Sequence, residues 1–398
     1  MKVVLVMWPD TFEDWYGPLG LTKEAFLEGY DGEWTISFAS ALRSAGHEIH
    51  VVFGSRTGAP AAEQTPSGAT VHFVRVPFAY RALLQATWGS HRMSGLEKIW
   101  SAAPALAALS PALVRRVRRL RPDAVIVQDY EALRFDVLAP LLRAAGQHLV
   151  GLDTGGSARP STAPWKGATR ALAGDLLAVN HPEADRLRAA GHTRVDVWPV
   201  PVRTDVFVPA ERDTARRALG VESDEKLVFS AGRLHPVKNL PVLADVCSEL
   251  GVSLVLAGEG PDRSVLEARG YPSLRLLGRV PIETVARWYA ACHVAALASL
   301  QEGQPVAVLE ALACGRGVVA TKVGGLEQVV GDWRAGWLVP ARHPAALRDA
   351  LAEALDDPAE ADSRGRRGRD HVAAQHSLPA VGDWLSRRLT ASSGLTGS

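Results

Sequence analysis

Short apolar runs alternate with stretches of helical periodicity along nearly the whole chain. Val3–Met7, Ile49–Phe53, Val71–Val76, Ala124–Val127, Leu149–Leu152, Leu176–Val179 and Val195–Trp198 read as buried strands. Between them Ile36–Ser44, Ala112–Leu120, Val137–Ala145, Trp165–Ala173 and Glu183–Ala189 carry apolar residues at helical spacing. The rhythm restarts after Pro199, Pro201 and Pro209, with strands at Leu227–Ala231, Ser253–Ala257, Leu274–Leu277, Val294–Leu297, Gly317–Ala320 and Gly336–Val339. Helices are expected there over Leu240–Leu250, Ser264–Ala268, Ile282–Ala291 and Val306–Ala313. Such alternation predicts parallel sheets covered by helices on both faces. The fold class is therefore α/β, with two doubly wound Rossmann-like domains, 1–200 and 201–380, facing a central cleft. Residues 381–398 are expected to hold a helix end and a frayed tail after Leu389.

Two segments break the rhythm. Residues 8–33 are rich in Trp, Tyr, Phe, Gly and acids, and 78–104 add Trp88, Trp100, Arg81 and Arg92. Long insertions at strand ends build specificity walls, and the aromatics Trp8, Phe12, Trp15 and Tyr16 suit a ring-bearing or sugar acceptor. A packing flap without ligand contacts is the alternative.

Composition changes the picture mostly by exclusion. The 398 residues carry 44 Lys+Arg against 43 Asp+Glu, so no broad basic field exists for nucleic acid or an anionic membrane. Cys247, Cys292 and Cys314 lack C-x-x-C spacing and read as buried thiols. The histidines show no metal-ligand spacing, so no metal is expected. The first apolar run is shorter than a secretory core of about 7–15 residues, and no stretch reaches the ~20 of a membrane span. A cytoplasmic location is expected, with action at a membrane surface left open.

The chemistry concentrates in four pieces of the second half. Ser299-Leu-Gln-Glu302-Gly303-Gln304-Pro305-Val306 leads from a strand into a helix that carries Glu310. Pro305 suits a first helical turn, and the amides near Gly303–Ala307 make an anion site. Eight residues of helix span about 12 Å, comparable to the reach from a sugar across a diphosphate to a ribose. Upstream, Gly232-Arg233-Leu-His235-Pro-Val-Lys238 places two cations suited to phosphate oxygens between a strand and a helix. Gly258-Glu-Gly260 and Gly324-Gly325-Leu-Glu327 open two further helices with small residues. In the first half, Asp10, Glu13 and Asp14 follow the first strand and Asp129 and Glu131 follow another. All five are candidates for acceptor contact.

In order and rough spacing these pieces resemble the C-terminal half of family 4 glycosyltransferases, retaining enzymes of the GT-B fold. The resemblance covers about 199–385, with the pair Glu302 and Glu310 and the Gly-Arg-Leu…Lys segment as its core. The N-terminal half matches loosely, through Gly32 and the helix running to Ala45-Gly46-His47-Glu48. The resemblance implies a nucleoside-diphosphate sugar donor, with UDP first, and needs no cofactor and no metal; the chain also lacks any Asp-x-Asp. It implies that Arg233 and Lys238 hold the diphosphate, that Glu310 meets the ribose, and that Glu302 with Gly303, Gln304, Pro305 and Val306 meets the sugar. Arg279 and Val280 match a segment whose backbone meets the base. Where members often carry a histidine this chain has Asp153, which is assigned to the sugar or the acceptor.

The function so implied is glycosyl transfer, with retention, to a hydroxyl of a small molecule, glycan or natural product. Two alternatives stand beside it. One is a catalytically silent sugar-nucleotide-binding partner of the same fold. The other is a nicotinamide oxidoreductase, disfavoured because Val3–Met7 leads into Trp-Pro-Asp instead of G-x-G-x-x-G.

Overall fold

The computed structural model describes residues 1–7, 11–17, 20–28, 34–59, 63–65, 67–78, 109–155 and 163–393. It divides into two compact units, Met1–Trp198 with Gly382–Ser398, and Pro199–Val381.

The first unit is built on an eight-stranded sheet: β1 (Lys2–Val6), β2 (Glu48–Ser55), β3 (Glu63–Gln64), β4 (Thr70–Arg75), β5 (Ala124–Gln128), β6 (Leu149–Leu152), β7 (Asp175–Ala178) and β8 (Val195–Val197). Their order is β3-β4-β2-β1-β5-β6-β7-β8, parallel throughout except for the two-residue β3 on the edge. The strands are buried along almost every residue, as a sheet covered on both faces requires. Chain order reverses between β1 and β5, so the loops after these strands flank the switch point.

The second unit has six parallel strands: β9 (Leu227–Ala231), β10 (Ser253–Ala257), β11 (Leu274–Gly278), β12 (Val294–Leu297), β13 (Val318–Thr321) and β14 (Gly336–Val339). The order β11-β10-β9-β12-β13-β14 places its switch point between β9 and β12. The helices Leu240–Glu249 and Pro344–Asp356 pack their apolar stripes on one face, through Leu243, Leu347 and Leu351.

Three differences from expectation have local causes. Residues 11–28 form two short helices, Phe12–Tyr16 and Lys23–Leu27, capped by the Thr11 and Thr22 hydroxyls. Phe12, Tyr16 and Phe26 are buried with Phe53 and Phe73 in one aromatic cluster, ring centroids 4.7–6.1 Å apart. These aromatics are core, which corrects the reading of Phe12 and Tyr16 as acceptor-facing. The C-terminal helix Leu378–Ser393 continues past Leu389 instead of fraying there. From Gly382 on it belongs to the first unit, where Arg388 pairs with Asp175 at 2.9 Å and Asp196 at 2.7 Å. A β-carbon at Gly382 would lie 2.1 Å from the Ala41 carbonyl oxygen, so a side chain is excluded there. The three cysteines are free and buried.

Candidate functional site

Both loops at the switch point of the second unit carry candidate residues. After β9 the chain passes through Gly232, Arg233 and Leu234, and His235 Nδ1 accepts the Val237 amide to cap a 3-10 turn ending at Lys238. Arg233 is exposed and makes no side-chain bond to a described residue. Backbone bonds hold this loop against its neighbours, Gly232 N to Ala257 O at 2.9 Å and Leu234 N to Glu259 O at 2.9 Å. Gly258 makes this approach possible, since its β-carbon would fall 1.9 Å from the Gly232 carbonyl oxygen.

After β12 comes the loop that holds Glu302. Lys238 Nζ donates to Glu302 Oε1 at 2.6 Å, and Ser299 Oγ donates to the same oxygen at 2.6 Å. Thr321 Oγ1 donates to the Ser299 carbonyl at 2.6 Å, tying the loop to the end of β13. The Leu300 amide bonds the Val237 carbonyl at 2.7 Å, so the two loops are also joined backbone to backbone. Arg233, Lys238 and Ser299 line one narrow pocket with Gly232 and Ala298. The loop after β13 closes on the other side, where Gly324 leaves no room for a β-carbon beside the Glu302 carbonyl.

The helix Val306–Ala313 begins here, with Pro305 at its cap position, one residue before the expected first turn. The amide of Val306 bonds the Gln304 carbonyl at 3.0 Å, so it is spent within the turn, whereas that of Ala307 has no such bond. The buried Tyr289 fixes this first turn by donating its hydroxyl to the Ala307 carbonyl at 2.8 Å. Further along, Glu310 makes no side-chain hydrogen bond to a described residue, and burial pushes its carboxyl up to about 8. Arg279 and Val280 follow β11, Arg279 exposed and Val280 half-buried. Two cations, a helix N-terminus and a carboxyl with no side-chain hydrogen bond among the described residues thus share one strand-end edge.

Residues 225–357 match the family described as Glycosyl transferases group 1. Over that stretch the chain is similar to the group 1 glycosyl transferases. Among curated relatives it is 35% identical over 235 residues to a D-inositol 3-phosphate glycosyltransferase of Mycolicibacterium smegmatis, covering 54% of each chain. The chain spans about half the length of the curated relatives it matches. Among solved structures it resembles sucrose-phosphate synthase from Thermosynechococcus elongatus (TM-score 0.75, 19% identity, 98% of this chain and 99% of that one). It also resembles HepE of Anabaena in complex with UDP-glucose (TM-score 0.69, 17% identity, 98% and 100%). These likenesses establish the GT-B fold over the full chain.

Unlike the second unit, the first unit uses most of its candidate acids internally. Asp10 and Gly32 lie outside the described residues. Glu13 accepts from Ser55 Oγ at 2.6 Å, the Arg56 amide at 2.9 Å and Thr57 Oγ1 at 3.0 Å, and pairs with Lys23 at 3.0 Å. Burial alone would raise its carboxyl, but these bonds outweigh it and hold it at about 2. Glu13 therefore pins the first short helix to the end of β2. Asp14 accepts from Thr11 Oγ1 at 2.6 Å and lies 3.5 Å from Arg56. Glu131 is buried between Arg170 and Arg186, each at 2.6 Å from Oε1, and holds the unit together. These partners lie 39–55 residues away in sequence, so no local pattern announces them.

Asp129 and Asp153 remain at the strand ends. Asp129 follows β5 with a left-handed φ of 61° and is buried. Asp153 follows β6 and is also buried; its Oδ1 accepts the Gly155 amide at 2.9 Å, and its carbonyl accepts Trp198 Nε1 at 2.7 Å. Burial raises its carboxyl to about 7, and although the Gly155 bond opposes this, the charges of Asp129, Glu183 and Glu131 add to it. No group of three His, Cys, Asp or Glu among the described residues could hold a metal ion.

A stability prediction follows from the Glu13 network. Glu13→Gln should lower unfolding free energy by about 2 kcal/mol at neutral pH, the worth of a hydrogen-bonded charge. With a folded value near 2 against 4.5, the contribution is full above pH 4.5 and lost as pH falls toward 2. Denaturant unfolding across that range should show a weaker acid dependence in the variant.

Proposed function

We propose that the protein transfers a glycosyl group, with retention, from a UDP-sugar to a hydroxyl of a small acceptor. The observation that carries this reading is the joined pair of switch-point loops, with Lys238 on Glu302, Arg233 open beside them, and a helix N-terminus at the same edge. Bond cleavage leaves negative charge on the departing β-phosphate and an oxocarbenium-like sugar. Arg233, Lys238 and the amides before the helix Val306–Ala313 stabilise that phosphate. Glu302, oriented by Ser299 and Lys238, contacts the sugar, and Gly303, Gln304, Pro305 and Val306 line its hydroxyls. Glu310 accepts from the ribose, and Arg279 and Val280 lie along the base. Asp153 and Asp129 serve the acceptor, whereas Glu13 and Glu131 keep the structural roles described above. D-inositol 3-phosphate is the first acceptor to test, because the curated relatives carry its name.

The test is incubation with a panel of nucleoside-diphosphate sugars, with and without D-inositol 3-phosphate, following nucleotide release and product anomericity. Release of UDP from no sugar nucleotide, despite tight binding, would instead favour the silent binding partner.

The Glu310 contact makes a pH prediction. With its carboxyl near 8 in the free protein, the neutral form predominates at pH 6. Hydrogen bonds donated by ribose hydroxyls favour the ionised form, so binding releases a proton. UDP-sugar affinity should therefore rise by up to about tenfold per unit from pH 6 toward 8, then level off. Calorimetric titration should find this slope absent in Glu310→Gln. A flat wild-type profile rejects the contact.

A further inference from the structure

The helix Pro358–Gln375 packs against β14, the edge strand of the second sheet, and two of its arginines serve that junction. Arg364 Nη1 donates to the Gly336 carbonyl at 2.7 Å and its Nε to Glu360 Oε1 at 2.8 Å. Its guanidinium lies over the Trp337 ring, 4.0 Å from the centroid. Arg367 Nε donates to the Arg334 carbonyl at 3.1 Å and its Nη1 to Ser363 Oγ at 3.0 Å. Its Nη2 lies 3.4 Å from Glu360 Oε1, so one carboxylate aligns both guanidinium forks.

Arg334 has no such work. It follows the π-helix Glu327–Asp332 and Trp333 with φ 51°. The Ala335 amide reaches back to the Val330 carbonyl at 3.0 Å, and the Arg334 amide to the Gly331 carbonyl at 2.9 Å. A helix that stops in this way favours glycine at that position. Here it carries an exposed arginine whose side chain bonds no described residue. Arg334, Arg364 and Arg367 rim one open pocket of about 450 Å³, which the apolar Val330 and Leu338 also line. Among the described residues Glu360 is the one acid in that lining, so three guanidiniums against one carboxylate leave two positive charges. The pocket lies toward the amino end of β14, which Gly336 opens, whereas Arg233, Lys238 and Glu302 follow the carboxyl ends of β9 and β12.

We propose that this pocket binds a phosphomonoester of a small hydroxylated molecule. Such a group carries nearly two negative charges at neutral pH and offers three acceptor oxygens, which matches the excess charge and the planar donor forks. Glu360 opposes a bare polyanion, but its carboxylate accepts from a hydroxyl beside the phosphate. The volume falls in the range of small-molecule sites. The site goes beyond the transfer reaction and uses no residue assigned to it.

Calorimetric titration of the full chain with glycerol 3-phosphate tests the proposal. One saturable component is expected, which Arg334→Gly weakens by about tenfold or more, as the loss of a charge-assisted bond requires. Glycerol should not bind, and inorganic phosphate should bind more weakly than the ester, with the gap narrowed in Glu360→Gln. Because the backbone at Arg334 suits glycine, Arg334→Gly should unfold at no lower temperature than wild type without ligand, which separates lost binding from misfolding. Arg334→Gln supplies a second variant that keeps the β-carbon. Absence of a saturable component, or unchanged affinity in both folded Arg334 variants, would overturn the site. Equal affinity for inorganic phosphate and the ester would overturn the assignment to an ester.

Discussion

Arg233→Ala is expected to lower turnover by about 10²–10³-fold while leaving thermal unfolding almost unchanged. The stability half follows from the structure: Arg233 is exposed and its side chain makes no bond to a described residue that its loss could break. The catalytic half follows from where charge develops. A donor aimed at the leaving phosphate strengthens its bond as the glycosidic bond breaks, and removing one such donor costs that much in other enzymes. The loss should therefore appear mainly in kcat, with KM changed less. Arg233→Lys restores the charge but not the planar fork, so an intermediate rate is expected. Lys238→Ala should fall as far, with an added cost, because Glu302 would keep only the Ser299 hydroxyl on its inner oxygen. Steady-state kinetics beside denaturant unfolding separate the two effects. Near-normal turnover in both variants would remove the transfer mechanism from these loops.

The strands were legible because a sheet buried on both faces leaves continuous apolar runs, and β5 and β6 are buried at every residue. The placement of the candidate residues at the switch point of the second unit was legible for a related reason. Arg233, Lys238, Glu302 and Pro305 are local to two loops that a parallel sheet must bring to one edge. What escaped depends on distance. Nothing near Glu131 shows that Arg170 and Arg186 will claim it, and nothing near Glu13 names Ser55 and Lys23. The aromatics Phe12, Tyr16 and Phe26 look exposed in a loop-like stretch until tertiary contacts with Phe53 and Phe73 cover them. Ser299 was visible three residues before Glu302, a spacing that allows a hydroxyl to reach the carboxylate, but only the turn geometry shows that it does.

Gly324→Ala is the sharper test of whether the Glu302 loop must be held in place. Gly324 has φ +55°, and an added β-carbon would sit 1.9 Å from the Glu302 carbonyl oxygen. That atom is backbone and cannot swing aside, so the Glu302–Gly303 segment or the loop after β13 must move. A shift of about 1 Å in a positioned group can cost about a hundredfold in rate. Gly315→Ala supplies the control. Its φ of +72° exacts the same left-handed penalty, about 1 kcal/mol, but its nearest neighbour is a Pro209 carbon at 3.9 Å. Both variants should lose stability; only Gly324→Ala should also lose about a hundredfold in kcat/KM. Equal activities at equal folded fractions would mean that Glu302 works without its backbone support, and the Lys238 and Ser299 bonds alone would then have to orient it.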